Sequence, residues 1–458
     1  MEKEEISLIV DNQRKFFASG KTFDADYRLE ILKKLRSLII LHEKDIVDAL
    51  WKDFHKPEFE VIATESRFVI KELNYTISKL KNWARHRRVR TPIVHFLSHS
   101  YIAPQPYGQV LVLSPWNFPF QLAFMPLLGA IAAGNCVVLK VSGRVPEIAA
   151  VMEKILSNFP KELVAMIDGD HTINDFLLDQ KFDYIFFTGS PGVGKYVMQK
   201  AAVNLTPVSL ELGGKNPCVV AEDARLDYAA KRIAWGKLIN CGQTCVSPDY
   251  VLIDKKVKDQ FLELISQEIK KFYGDDPAKS NDFARVISSE SVERLEALMK
   301  SGQIVIGGKT DPATRYVAPT VIKDVKPGDA IMGQEIFGPV LPVIDFEKFD
   351  EVYSIIGQNP KPLSTYIFSR NKKLVREFMM KTQSGNACVN ETVIQIASPY
   401  LPYGGIGSSG IGRYHGKKSF ETFSNMRSVI VKSNLLDIWV RYPPYSKFRT
   451  RIVSFLMR

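Results

Sequence analysis

The sequence predicts an α/β protein built around two mainly parallel sheets, and three observations carry that expectation. First, short β-branched apolar runs recur from residue 107, namely GQVLVLSP, GNCVVLKV (134 to 141) and KFDYIFFTG, each followed by a helix-like stretch. Such runs suit strands buried on both faces. Second, the alternation restarts near residue 213 with NPCVVAED, YVLIDKK and PVLPVIDF. Strands alternating with helices imply right-handed crossovers in a doubly wound sheet, and the restart implies a second domain of the same class. Third, the chain has 458 residues, more than one compact core accommodates.

Taken in order, the N-terminal MEKEEISLIVDNQRKFF is charged and polar and lacks the apolar centre of a signal peptide. Residues 25 to 85 read as helices. Leu29, Leu32, Leu35, Ile39 and Leu41 recur near helical spacing, and Asp24 or Asp26 is placed to cap the start. Pro57 to Ala84 is also helical and ends in KLKNWARHRRVR. That basic cluster has no interleaved aromatics and no recognised binding module around it, so it reads as a solvated helix end and no nucleic-acid partner is expected. FPFQLAFMPLLGAIAAG, 118 to 134, is short for a membrane span and carries Pro119, Gln121 and Pro126; a buried helix is expected. VPEIAAVMEKILSNF, LDYAAKRIAWGKLIN and FLELISQEIKKFY are further helices, and ATRYVAPTVIKDV and PLSTYIFS extend the second sheet. The glycine-dense PYGGIGSSGIG, 402 to 412, marks a tight path or a close backbone approach.

Hydrophobic residues make up 45% and charged residues 24%, which excludes general disorder. The net charge of +11 favours anionic ligands or surfaces without choosing among them. Five cysteines, Cys136, Cys218, Cys241, Cys245 and Cys388, form no C-x-x-C pair, and no H-E-x-x-H occurs. A disulfide scaffold and a metal site are not expected, and a cytoplasmic location fits.

Four stretches carry chemistry. In GQTCVSPDY, Cys245 is either a small buried filler or a nucleophile, since reactivity needs thiolate character and access. In FFTGSPGVGK, an apolar strand runs through Gly189 and Ser190 into a helix whose free amides suit phosphate; an ordinary strand–helix turn is the alternative. Tyr196 stands where a Walker loop needs lysine, which disfavours ATP hydrolysis. In ELGGK, Glu211 ends an apolar strand and is a general base or a turn glutamate; Asn117 in PWNFP is an oxyanion donor or a turn residue. QEIFGP combines Glu335 and Phe337 with a Gly-Pro turn, either as a ribose and ring contact or as a turn around a buried phenylalanine.

Together PWNFP, FTGSPGVG, ELGGK, GQTC, QEIFGP and PYGGIGSSGIGRYHG resemble, in order and spacing, the NAD(P)-dependent aldehyde dehydrogenase superfamily over residues 25 to 430, most closely its class 3 or fatty aldehyde dehydrogenase branch. The resemblance implies a Rossmann-type cofactor domain (1–85 and 107–212), an α/β catalytic domain (213–395) and a small β bridging element (86–106 and 396–440) that suggests a homodimer. It implies Cys245 as nucleophile, Glu211 as general base, and Asn117 with the Cys245 amide as oxyanion hole. It places Lys140 at the adenosine ribose, Gly189, Ser190, Pro191, Gly192, Val193 and Gly194 at the pyrophosphate, and Glu335 and Phe337 at the nicotinamide ribose. The implied reaction oxidises medium- or long-chain aliphatic or aromatic aldehydes to carboxylic acids, with NAD or NADP as cofactor and no metal. One departure stands out: after Lys140 the run is VSGR, with Gly143 where the family usually carries glutamate, so tolerance of NADP is expected. If this region is helical, Cys241 lies one turn from Cys245, as a packing or redox-sensitive bystander. Two other classes stay in view, a thiol hydrolase without redox chemistry and a non-catalytic nucleotide-binding protein. The tail 441–458 holds no acidic residue, and Phe448, Ile452 and Phe455 at i, i+4 and i+7 suggest a basic amphipathic helix in peripheral contact with a membrane.

Overall fold

The structure is a computed structural model that describes residues 2–169 and 171–457. Two sheets dominate it. The first has six strands in the order Gly410–Ile411, Val208–Leu212, Tyr184–Gly189, Gln109–Leu113, Cys136–Lys140, Val164–Ile167, all parallel except the first. Its strands are apolar on both faces because both are covered. Val110, Val112, Val137 and Leu139 point into a core shared with helices Ala25–Leu41, Arg67–Trp83 and Pro119–Ala133. Leu111, Leu113 and Val138 point the other way, toward helices Lys3–Ala18 and Pro191–Ala202.

Pro119–Ala133 is the expected buried helix: every residue in it is buried, and proline occupies its first turn, where no amide partner is needed. It stops at Gly134, whose φ of +98° lies in left-handed space, with Thr22 O only 2.9 Å from where a Cβ would stand. Asp24 caps the helix that follows it, accepting from Asp26 N. Among the described residues no helix is long and apolar enough to cross a membrane.

The second sheet has seven strands in the order Gln303–Ile306, Thr320–Lys323, Val340–Phe346, Tyr250–Asp254, Pro217–Val220, Ser364–Phe368, Asn386–Val389. All are parallel except the first, and a separate apolar core covers them. A third, antiparallel sheet joins Arg87–Val89, Ser98–Pro106 and Ser424–Lys432. Residues 396–440, grouped in the sequence with 86–106, therefore divide. Ser424–Lys432 pairs with Ser98–Pro106, whereas Gly410–Ile411 closes the edge of the first sheet against Glu211 and Leu210.

Candidate active site

The parallel strands of the first sheet deliver their C-terminal ends to one edge, where open α/β sheets bind ligands. Lys140 ends one strand, Gly189 the next, and Glu211 lies one residue before the end of a third. Asn117 follows the strand Gln109–Leu113 by four residues. One cleft of about 830 Å³ is lined by Trp116, Asn117, Gly189, Ser190, Glu211, Cys245, Glu335 and Phe337, among others. The structure thus brings together residues as far apart in sequence as Trp116 and Phe337.

Cys245 also lines a second cavity. This one, about 930 Å³, is walled by Phe59, Phe68, Phe118, Leu122, Trp235, Ile394, Tyr403 and Tyr414 among others, and is predominantly apolar. The sulfur stands in the partition between a polar cleft and an apolar tunnel.

The loop carrying Cys245 is held by an unusual backbone. Asn240, Cys241 and Gly242 all have positive φ, at 51°, 54° and 74°. Left-handed backbone costs about 1–2 kcal/mol per non-glycine residue, so the surroundings must impose it. They do. Glu60 accepts from Asn240 N at 2.8 Å, and Gln243 donates to the carbonyls of Asn240 and Arg285 while accepting from Ile287 N. Gly242 lies against the Gly338 carbonyl, 2.2 Å from where a Cβ would stand, so GQTC and IFGP pack backbone to backbone. The sharp turn overturns one expectation. Cys241 is not a helical turn from Cys245; it points into the core of the second sheet, fully buried, while Cys245 faces the cavities.

Asn117 is 4% exposed. Its Nδ2 donates to Gln243 O at 3.0 Å, and its backbone carbonyl accepts from Asn240 Nδ2 at 2.7 Å. Bonding to a carbonyl identifies the nitrogen and leaves the second amide hydrogen for the cleft. Asn216, from the ELGGKN run, donates to the carbonyls of both Cys245 and Ser247 and so pins the other side of the loop.

Burial disfavours charge on the nucleophile and on the carboxyls around it. Burial pushes the Cys245 thiol up to about 12, with a hydrogen bond from Tyr403 opposing and the carboxyls of Glu335 and Glu211 adding to the rise. Burial also holds the Glu211 carboxyl well above the usual carboxylate range, against the pull of Arg413. Both Glu211 oxygens are buried without a hydrogen-bond partner, which costs free energy and points to a ligand or a working position nearby.

Of the remaining expected residues, Gly189, Ser190, Glu335 and Phe337 line the cleft, the last two from the loop before Val340, while Lys140, Gly192, Val193 and Gly194 do not line it. Ser190 caps helix Pro191–Ala202, accepting from Val193 N at 3.4 Å, and Gly192 has open space where a side chain would go. Gly189 and Gly194 have a further reason to lack side chains, since a Cβ would stand 2.5 Å from the Phe187 ring and 2.6 Å from Leu212 respectively. Lys140 is buried and donates to Val141 O at 2.7 Å. Glu335 sits over Gly213, 2.0 Å from where a Cβ would be, which explains one glycine of ELGGK; burial, then Asp249, raises its carboxyl to about 8. Phe337 adopts a φ of +47° and sets its ring edge-on to Trp116 at 5.4 Å.

Sequence reasoning passed over Gln243, Asn216, Asp249, Glu60 and Tyr403. Gln243, Asn216 and Asp249 lie inside or beside the quoted motifs, and Gln243 carried the signal of a polar residue flanking glycine. Glu60 sits in an unremarkable helical stretch and had no signal.

Comparisons with known proteins identify the family. Residues 1–429 match the family model for the aldehyde dehydrogenase family. The chain is 42% identical over 449 residues to a dimeric NADP-preferring aldehyde dehydrogenase of Canis lupus familiaris, covering 97% of this chain and 99% of the relative. It is 42% identical over 442 residues to a 4,4'-diaponeurosporen-aldehyde dehydrogenase of Staphylococcus aureus, covering 96% of each. The solved substrate-bound state of Staphylococcus aureus AldH superposes with a TM-score of 0.97 at 40% identity, covering 99% of both chains. The chain belongs to the aldehyde dehydrogenase family.

Proposed function

We propose that this protein oxidises apolar aldehydes to carboxylic acids, using NAD or NADP and a covalent intermediate on Cys245. The observation that carries this reading is the position of Cys245 in the wall between the apolar tunnel and the polar cleft that also holds Asn117 and Glu211.

The cleft fits a dinucleotide. The capped start of helix Pro191–Ala202 offers amides and open space at Gly192 for the pyrophosphate, and Thr188 and Glu211 hold buried oxygens with no hydrogen-bond partner. Gly189 to Gly194 would hold the phosphates, Lys140 the adenosine ribose, and Glu335 and Phe337 the nicotinamide half. When bound, the oxidised cofactor supplies the hydride acceptor and a positive charge beside the sulfur.

The chain's own residues do the rest. The Cys245 thiolate adds to the aldehyde carbon, and the carbonyl oxygen becomes an oxyanion. Asn117 Nδ2 and the Cys245 amide donate to that oxyanion; one such donor contributes about 3 kcal/mol of barrier lowering. Loss of hydride from the thiohemiacetal carbon leaves a thioester. Glu211 then removes a proton from water as the water attacks, and the carboxylic acid leaves with the Cys245 thiol restored.

The aromatic and aliphatic walls of the tunnel select medium- or long-chain aliphatic or aromatic aldehydes. Ile394 is 51% exposed and lines the tunnel, so it stands toward the solvent end. A panel of aldehydes from short to long, followed by the absorbance of reduced nicotinamide, tests this. Ile394→Glu is expected to raise KM for long aldehydes about tenfold or more and to leave short ones alone, since each buried apolar side chain is worth about 1.5–3 kcal/mol. A thiol hydrolase would turn over esters with no absorbance change.

A homodimer through the third sheet is part of the proposal. Ser424–Lys432 exposes Met426, Ile430 and Val431, and the canine relative is described as dimeric. Peripheral membrane contact is proposed for helix Lys447–Leu456, which exposes Phe448 at 65% and Phe455 at 75% beside its arginines. Sedimentation with anionic liposomes tests it; unchanged binding after truncation at residue 440 refutes it.

A further inference from the structure

The glycine-dense segment 402 to 412 does more than close a sheet edge. Its second residue, Tyr403, lines the apolar tunnel and is 6% exposed. Its hydroxyl lies 3.6 Å from Cys245 Sγ, within hydrogen-bond distance for sulfur. Among the described residues no other side chain hydrogen-bonds that sulfur.

The ring is held on every side. Tyr403 and Tyr414 exchange backbone hydrogen bonds of 3.0 and 2.8 Å across an isolated bridge. The Tyr403 ring stacks on His415 at 5.2 Å and meets Tyr414 edge-on at 5.7 Å. The next residue, Gly404, has a φ of +158°, and its missing Cβ would stand 3.0 Å from Glu211 Oε1. One dipeptide therefore touches the nucleophile with a hydroxyl and the base with bare backbone.

We propose that Tyr403 is a positioning residue for the nucleophile, donating its hydroxyl hydrogen to Cys245 Sγ so that the sulfur stays aimed across the partition and its anionic form is favoured. This rests on the reading of Cys245 as nucleophile. Direction follows from the surroundings. Burial, with Cys245, Glu211 and Tyr414 nearby, keeps the Tyr403 phenol well above its ordinary value, so it remains a donor. The carboxyls of Glu335 and Glu211 face the same sulfur and disfavour its charge, which leaves Tyr403 as the opposing side chain. Removing one hydroxyl alters the sulfur's environment without reshaping the walls.

The test uses the full-length protein carrying Cys388→Ser. Cys388 is partly exposed, and Cys136, Cys218 and Cys241 are buried. The rate of Cys245 alkylation by iodoacetamide is followed against pH by peptide mass spectrometry, in the parent and in Tyr403→Phe. The expected result is a profile displaced upward by about one pH unit, so that alkylation near neutrality slows about tenfold and recovers in alkali. In steady state kcat falls while KM for a long-chain aldehyde holds within about twofold. Tyr403→His, which returns a ring N–H, is expected to recover part of the displacement and serves as the comparison if the phenylalanine variant does not fold. Superimposable profiles for parent, Phe and His variants overturn the proposal. Cys245→Ser separates the two claims: retained aldehyde oxidation in that variant refutes the nucleophile itself, whereas loss there with an unmoved Tyr403→Phe profile refutes only the role of Tyr403.

Discussion

Lys215 Nζ lies 2.6 Å from Asp249 Oδ2, with neither side chain more than 5% exposed. This pair joins three motifs. Lys215 belongs to ELGGK and Asp249 to GQTCVSPDY, and the other oxygen of Asp249 accepts from Ile336 N in QEIFGP at 3.0 Å. Lys237 Nζ stands 4.0 Å away with no hydrogen-bond partner, and burial lowers it to about 8. Asp249 is thus the charge that reconciles two buried ammonium groups beneath the cleft. Asp249→Asn is expected to destabilise the fold by about 3–5 kcal/mol, because it leaves those groups uncompensated. A urea titration measures the loss, and a midpoint equal to the parent's would contradict the assignment.

Burial raises the Glu211 carboxyl and leaves both of its oxygens without a hydrogen-bond partner, so replacing it by the neutral isostere is expected to cost the fold little. Glu211→Gln is expected to melt within a few degrees of the parent. Thioester hydrolysis, by contrast, is expected to fall about 10²–10⁴-fold, the usual share of a general base. A single-turnover experiment separates the steps: a burst of reduced cofactor followed by a stalled steady state is the expected trace. Because burial raises the carboxyl, deacylation in the parent is expected to quicken as pH rises and more Glu211 ionises.

The same physics gives stability a pH dependence. Burial raises Glu60 from its ordinary value of 4.5 to about 7. A carboxyl raised in the folded state binds its proton more tightly there than in the unfolded chain. Its contribution is therefore full below about pH 4.5 and is withdrawn as pH climbs through about 7. Glu60→Gln cannot titrate, so the difference in melting temperature between variant and parent is expected to grow in the variant's favour from pH 5 to 8. Parallel melting curves across that range would exclude the effect.

Gly143 occupies an exposed turn, with only Gly169 O at 3.8 Å from the place of its Cβ. There is room for a side chain. Gly143→Glu would restore a carboxylate that repels a 2′-phosphate, and kcat/KM with NADP is expected to fall about tenfold or more relative to NAD. The parent is expected to accept both. Steady-state kinetics with each cofactor decide the matter, and a parent with strong NAD preference would refute the reading of Gly143.

The sequence alone determined the local and chemical side of this protein. Apolar runs such as Gln109–Leu113 and Cys136–Lys140 announced doubly covered strands because strand period and burial are written in consecutive residues. FPFQLAFMPLLGAIAAG announced a buried helix by composition. The reactive types, Cys245, Glu211 and Asn117, stood out by their glycine and proline neighbours and by the resemblance those motifs carry. Tertiary structure decided the rest, because it depends on contacts between segments distant in sequence. Left-handed backbone at Asn240 and Cys241 has no residue signature; it exists because Glu60, 180 positions away, and Gln243, which ties the loop to Arg285 and Ile287, impose it. The fully buried Lys237 and the raised thiol of Cys245 follow from what surrounds them, which local pattern does not encode. Tyr403 carries no signal of its own beside its glycines, and only the folding of its loop against residue 245, 158 positions away, put a hydroxyl on the sulfur.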